Sequence, residues 1–265
     1  MTRVLVFDSG VGGLSIVRSI ENQAPHIIVD YAADAGFFPY GLKTDEELQA
    51  RLPMLCEALI QEAKPDIFVM ACNTASTLAL EGVRARVNIP VVGTVPAIKP
   101  AAALTTSGVI GVLATPGTIR RSYLDKLEHE YAANITVLRH GTSGLVELAE
   151  RYVRGEALSQ AAFDTVIAPL FQMENGHRID VLVLACTHFP LVRSQIEKAC
   201  PEHVMHIIDT GEAIAKQVLR LSSGEKENKH SPDRRVLLTG GKANRKAYAP
   251  VLEKFGFTKV NTLDL

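Results

Sequence analysis

The chain has 265 residues, of which 47% are hydrophobic and 22% charged, and its formal net charge is −1. That composition excludes a disordered chain and supports a substantial core, in one large domain or two of ordinary size. The balance of 28 Lys and Arg against 29 Asp and Glu argues against strong non-specific binding to nucleic acid.

In chain order, the first apolar run is residues 4–7, which Asp8 interrupts. It is too short for a signal-peptide core, and no run approaches the roughly 18 residues of a membrane span. The expected location is therefore the cytosol. Residues 4–7 read as a buried strand, followed by the turn Gly10-Val11-Gly12-Gly13 and a second strand at 27–31. Thr44-Asp45-Glu46-Glu47 is a capping-box signature opening a helix toward Ala63, with Leu48, Leu52, Leu55 and Leu59 on one face. Further strands are expected at 67–71, 91–93, 109–113, 135–138, 181–185, 206–208 and 236–239. Helical periodicity marks 75–86, 117–130, 145–154, 159–173, 191–199, 211–221 and 243–255. Continuously apolar strands alternating with amphipathic helices define an α/β chain with mainly parallel sheets. Nine strands exceed what one compact sheet of this length needs, so two sheets and two domains are expected. The polar stretch 222–235 reads as a solvated loop.

An internal repeat is visible. Residues 65–74, ending Ala71-Cys72-Asn73-Thr74, can be laid over residues 179–188, ending Ala185-Cys186-Thr187-His188. In open parallel sheets, ligands bind beyond the carboxyl ends of strands. Four such ends carry small hydrogen-bonding residues: Asp8-Ser9, Cys72-Asn73-Thr74, Thr115 to Thr118, and Cys186-Thr187-His188. The glycine turn after Asp8 matches neither GxGxxG nor a Walker sequence. A tight turn or a small carboxylate ligand explains it as well as a phosphate does.

Of the four cysteines, Cys56 and Cys200 read as inert thiols in helical sequence. Cys72 and Cys186 each end a strand and precede a helix, where thiolate is favoured. There is no Cys-x-x-Cys and no convincing zinc-ligand spacing, so no metal is expected. A hydrolase using Cys186 and His188 leaves Cys72 without a role. A small-carboxylate binder would leave both thiols inert. Two opposed thiols suit inversion at a stereocentre, one removing a proton while the other returns one.

The segments Phe7-Asp8-Ser9-Gly10-Val11-Gly12-Gly13-Leu14, Pro39-Tyr40-Gly41, Ala71-Cys72-Asn73-Thr74-Ala75, Thr115-Pro116-Gly117-Thr118 and Ala185-Cys186-Thr187-His188-Phe189-Pro190 together resemble the glutamate racemases of the aspartate/glutamate racemase superfamily. The stretch Val92 to Ala101 resembles them too. The resemblance implies two pseudo-symmetric αβα domains, residues 1–96 with 209–265 and residues 97–208, with the active site in the cleft between them. It implies cofactor-independent interconversion of L- and D-glutamate, supplying D-glutamate for peptidoglycan, by a cytoplasmic enzyme that commonly dimerises and binds neither membrane nor nucleic acid. By the same resemblance Cys72 deprotonates D-glutamate and Cys186 deprotonates L-glutamate. Asp8, Ser9, Tyr40, Gly41, Asn73, Thr74, Thr187 and His188 fall on substrate-binding positions. Asp8 and His188 also stand where they can tune the neighbouring thiols. Thr115, Thr118 and Glu150 are supporting candidates, with Glu147 the alternative to Glu150. One departure is Phe37, where many members carry arginine; it makes the approach to Pro39-Tyr40-Gly41 more apolar. A sibling activity on aspartate or another acid is the nearest rival reading.

Overall fold

The computed structural model of the chain describes residues 1–222 and 233–263. The chain divides into two units, Met1–Thr94 with Gly211–Leu265, and Val95–Thr210. The first unit begins β1 (Arg3–Asp8), α1 (Leu14–Gln23), β2 (Ile28–Ala33), α2 (Asp45–Ala63), β3 (Ile67–Met70), α3 (Asn73–Arg84) and β4 (Val91–Gly93). The second comprises α4 (Ile98–Leu104), β5 (Val109–Ala114), α5 (Pro116–Ile119), α6 (Ser122–Tyr131), β6 (Thr136–Gly141), α7 (Gly144–Val153), α8 (Gln160–Phe171), β7 (Val181–Ala185), α9 (Arg193–Ala199) and β8 (His206–Ile208). The chain then returns to the first unit with α10 (Gly211–Ser222), β9 (Arg235–Leu238), α11 (Gly241–Lys254) and β10 (Lys259–Thr262).

Each unit is built on one sheet. The first has the order β10-β9-β2-β1-β3-β4 and the second β6-β5-β7-β8. Every pairing is parallel. The expected α/β class with two parallel sheets is what the chain forms. Strands β1, β3, β5 and β7 are buried along their whole length, and apart from Arg3 and Asp8 at the two ends of β1 they are apolar throughout, as strands covered on both faces must be. In the first unit α2 and α3 press Leu48, Leu52, Leu55, Leu59 and Ala75 onto Leu5, Phe7, Phe68 and Met70. In the second, Ile98, Ala101 and Leu124 cover Ile110, Val112, Val181 and Val183.

The four-strand order β2-β1-β3-β4 reappears as β6-β5-β7-β8, so the repeat seen in residues 65–74 and 179–188 extends to the topology of each unit. In both sheets the order reverses at the paired central strands, and the carboxyl end of that pair is the crevice where such folds take ligands. The register pairs Phe7 with Met70 and Ala114 with Ala185. Continued past the strand ends, it sets Ser9 beside Cys72 and Thr115 beside Cys186.

Four elements differ from the sequence reading. Helices α1 and α4 are not among the expected helices, and their N-cap residues, Gly13 and Ala97, offer no side-chain cap to mark their starts. The helix expected over 117–130 is two, since Arg121 takes an extended conformation between α5 and α6. Strand β10 is an edge strand in which only Val260 is buried, and it has no apolar run to announce it. The expected loop at 222–235 falls largely on residues 223–232, which lie outside the described residues.

Candidate active site

Cys72 follows β3 and caps α3, and its backbone is extended. Its Sγ donates to Ser9 Oγ at 3.9 Å, and Ser9 Oγ donates in turn to Asp8 Oδ1 at 3.4 Å. Asp8 Oδ1 also accepts from the Gly10 N–H at 2.9 Å. Asp8 is wholly buried, and Cys72 and Ser9 nearly so. The glycine turn has a packing cause at Gly13: a Cβ there would meet Asp8 Cβ at 2.8 Å and the Tyr31 ring at 3.0 Å. Tyr31 then donates its hydroxyl to the Gly10 carbonyl at 2.6 Å, fixing the turn that aims Asp8.

Asn73 and Thr74 open α3 and are buried. Thr94, just past β4, donates to Asn73 Oδ1 at 3.4 Å, while its own N–H donates to Ser76 Oγ at 3.1 Å. Tyr40 and Gly41 lie in a single 3₁₀ turn, Tyr40–Leu42. Tyr40 shares one apolar cluster with Cys72, Cys56 and Ala75. Its hydroxyl donates to Asp34 Oδ2 at 2.6 Å. Burial and then the Asp34 carboxylate push the phenol well above its ordinary range, so Tyr40 remains a neutral donor.

In the second unit Cys186 follows β7. His188 Nδ1 lies 3.8 Å from Cys186 Sγ, and His188 Nε2 lies 3.0 Å from Glu150 Oε1. Arg154, one turn further along α7, donates to Glu150 Oε2 at 2.8 Å. Cys186, His188 and Glu150 are buried, and Arg154 is 37% exposed. Burial works against a charged His188, but the bonds to Cys186 and Glu150 outweigh it and hold the imidazole well above its ordinary pKa. Glu150 and Glu147 separate cleanly: Glu147 is exposed and faces Arg151, so it is the solvated helix face, and Glu150 is the inward one. Thr115 caps α5 by accepting the Thr118 N–H at 3.3 Å, and the two hydroxyls lie 3.1 Å apart. Thr187, which follows Cys186 in the chain, is buried.

The first unit thus gathers Asp8, Ser9, Tyr40, Asn73 and Thr74 with Cys72, and Gly41 follows Tyr40 at intermediate exposure. The second gathers His188 and Glu150 with Cys186. Cys56 is fully buried in apolar company, which drives its thiol far above the ordinary range, and Cys200 is pushed up to about 12. Neither is a nucleophile in those surroundings. Among the described residues no group of three or more His, Cys, Asp or Glu side chains is placed to hold a metal ion, and no helix is long and apolar enough to cross a membrane.

Sequence reasoning passed over Asp34, Arg51, Thr239 and Arg154. Asp34 follows β2 and is fully buried, with Arg51 Nε at 2.7 Å and Thr239 Oγ1 at 2.5 Å. Only Arg154 left a local signal, its four-residue spacing from Glu150 on one helix.

One buried thiol follows β3 and another follows β7, at equivalent strand ends of the two sheets, each within reach of polar side chains. The chain matches the family described as Asp/Glu/hydantoin racemase over residues 5–218 and belongs to it. It is 47% identical over 222 residues to the glutamate racemase of Sphingopyxis alaskensis, covering 84% of this chain and 82% of that protein. It is 39% identical to the glutamate racemase of Vibrio campbellii, covering 99% and 96%. Among solved structures, it is similar to Escherichia coli glutamate racemase in complex with L-glutamate and the activator UDP-MurNAc-ala, with a TM-score of 0.92 and 37% identity, covering 99% and 98% of the two chains.

Proposed function

We propose that this racemase interconverts L- and D-glutamate by a two-base reaction, with Cys72 and Cys186 as the bases. The observation that carries the reading is the placement of two buried thiols at equivalent strand ends of two sheets that share a four-strand order. Inversion needs one proton removed from one face of the α-carbon and another delivered to the opposite face. A thiolate and a thiol do this in either direction, each serving as base one way and acid the other. Cys72 takes the proton of D-glutamate and Cys186 that of L-glutamate, an assignment that comes from family resemblance.

The polar relays give each thiol a partner. Ser9 and Asp8 stand behind Cys72, and His188 and Glu150 behind Cys186. Asn73, Thr74, Thr187, Tyr40 and Gly41 supply neutral donors and close backbone for the two carboxylates, with Thr115 and Thr118 in support. The reaction in this scheme needs no cofactor. A cytoplasmic homodimer supplying D-glutamate for peptidoglycan completes the reading, by resemblance to the family.

The test is proton NMR of each enantiomer in D2O with purified protein. The α-proton signal should vanish from both as deuterated antipode forms. Exchange of aspartate but not glutamate would move the reading to a sibling activity. Cys72→Ser and Cys186→Ser should each cut racemisation by at least about 10²–10⁴-fold, the usual worth of a positioned acid–base group. A hydrolase would tolerate Cys72→Ser, so an active Cys72→Ser enzyme sinks the two-base scheme.

A further inference from the structure

We propose that Phe37 is a positioning residue, a latch that holds the Tyr40–Leu42 turn in its substrate-ready shape; the proposal rests on the reading of Tyr40 and Gly41 as substrate-binding. Two cations lie over the aromatic ring of Phe37. Lys43 Nζ lies 4.2 Å from its centroid and the Arg51 guanidinium 5.0 Å. Its ring meets Tyr40 edge-on, with centroids 6.3 Å apart and planes at 69°. The two cations lie on either side of the turn in sequence, Lys43 ending it and Arg51 standing on α2.

The same Arg51 forks onto Asp34, Nε to Oδ2 at 2.7 Å and an Nη to Oδ1 at 2.8 Å. Asp34 accepts the Tyr40 hydroxyl as well. Within the turn, the Leu42 N–H donates to Pro39 O at 3.3 Å and the Lys43 N–H to Tyr40 O at 3.1 Å. Phe37 therefore touches both ends of the machinery that fixes Tyr40: the ring directly, and the guanidinium that shares its carboxylate. A leucine would fill much of the same volume but offer no π face to either cation. If the turn is competent only part of the time, the apparent affinity for substrate falls by that fraction, and the chemical step is left alone.

The experiment compares Phe37→Leu, Phe37→Tyr and Lys43→Gln with wild type by steady-state racemisation of glutamate, and by amide hydrogen exchange of peptides covering residues 36–44. Phe37→Leu should raise KM about three- to tenfold with kcat within about twofold, and exchange at 38–43 should quicken. Phe37→Tyr keeps the ring and should keep the wild-type KM. Lys43→Gln removes one cation from an accessible site and should raise KM about two- to fivefold, the worth of one cation–π contact. A Phe37→Leu enzyme with a lower Tm but unchanged KM and unchanged exchange would overturn the latch, leaving Phe37 as core filler. A wild-type protein inactive on glutamate would defeat the functional reading alone; the exchange comparison would then still decide the latch.

Discussion

Two opposing influences meet at His188. Burial strips water from the imidazolium, while the thiol and the Glu150 carboxylate on its two nitrogens favour the charge and prevail. A folded-state pKa above the unfolded value of about 6.5 stabilises the native state fully below that value, and the contribution disappears as pH rises through the higher folded value. The stability lost in His188→Asn, measured by denaturant unfolding against wild type, should therefore be largest at pH 6 and shrink at strongly alkaline pH. A difference that stays constant across that range would mean that His188 is not held protonated. Of this arrangement, Cys186 and His188 were legible from the strand end they share. The choice of Glu150 over Glu147 was not, because both sit on α7 and only packing decides which one points inward.

At the scale of elements, glycine placement has a steric cause that can be tested. Gly13 caps α1, and an alanine methyl there would overlap Asp8 Cβ and the Tyr31 ring. Gly13→Ala should destabilise the protein by about 1–3 kcal/mol, the usual cost of overpacking a filled site. It should also lower activity, because the displaced group is Asp8; thermal unfolding and racemisation assays read the two effects. Full stability and activity in that variant would show that the turn has room to give. Element types followed the apolar pattern for the central strands and for most helices. The capping box at Thr44 forms as expected, with Glu47 N–H on Thr44 Oγ1 at 3.2 Å and Thr44 N–H on the Glu47 carboxylate at 2.8 Å. The elements that escaped, α1, α4 and β10, lack such local marks and are held by tertiary packing.

Over the whole molecule, the C-terminal segment is tied into the first sheet by a buried ion cluster. Arg3 on β1 and Arg235 on β9 both bind Asp30 on β2, at 2.7 and 2.8 Å, and Asp30 also accepts the Arg235 N–H at 2.9 Å. Arg3 and Asp30 are almost completely buried. Removing the carboxylate leaves a buried guanidinium without its counter-charge, which costs about 3–5 kcal/mol. Asp30→Ala should lose stability on that scale in a denaturant titration; a loss under about 1 kcal/mol would mean that water reaches Arg3. Thr239, just past β9, connects the same segment to the site by donating to Asp34.

The sequence by itself determined the fold class, because strands covered on both faces must be apolar throughout and helices between them must be amphipathic. It also determined the two thiols and the polar residues beside them, since these occupy strand ends that a ligand-free scaffold would have no reason to furnish. Only the tertiary structure decided how those residues are supported. Asp34 with Arg51 and Thr239, Phe37 with Arg51, and Glu150 with His188 are partnerships between segments separated in sequence. Such contacts leave no periodicity or spacing to read, because they depend on which faces the sheet order brings together.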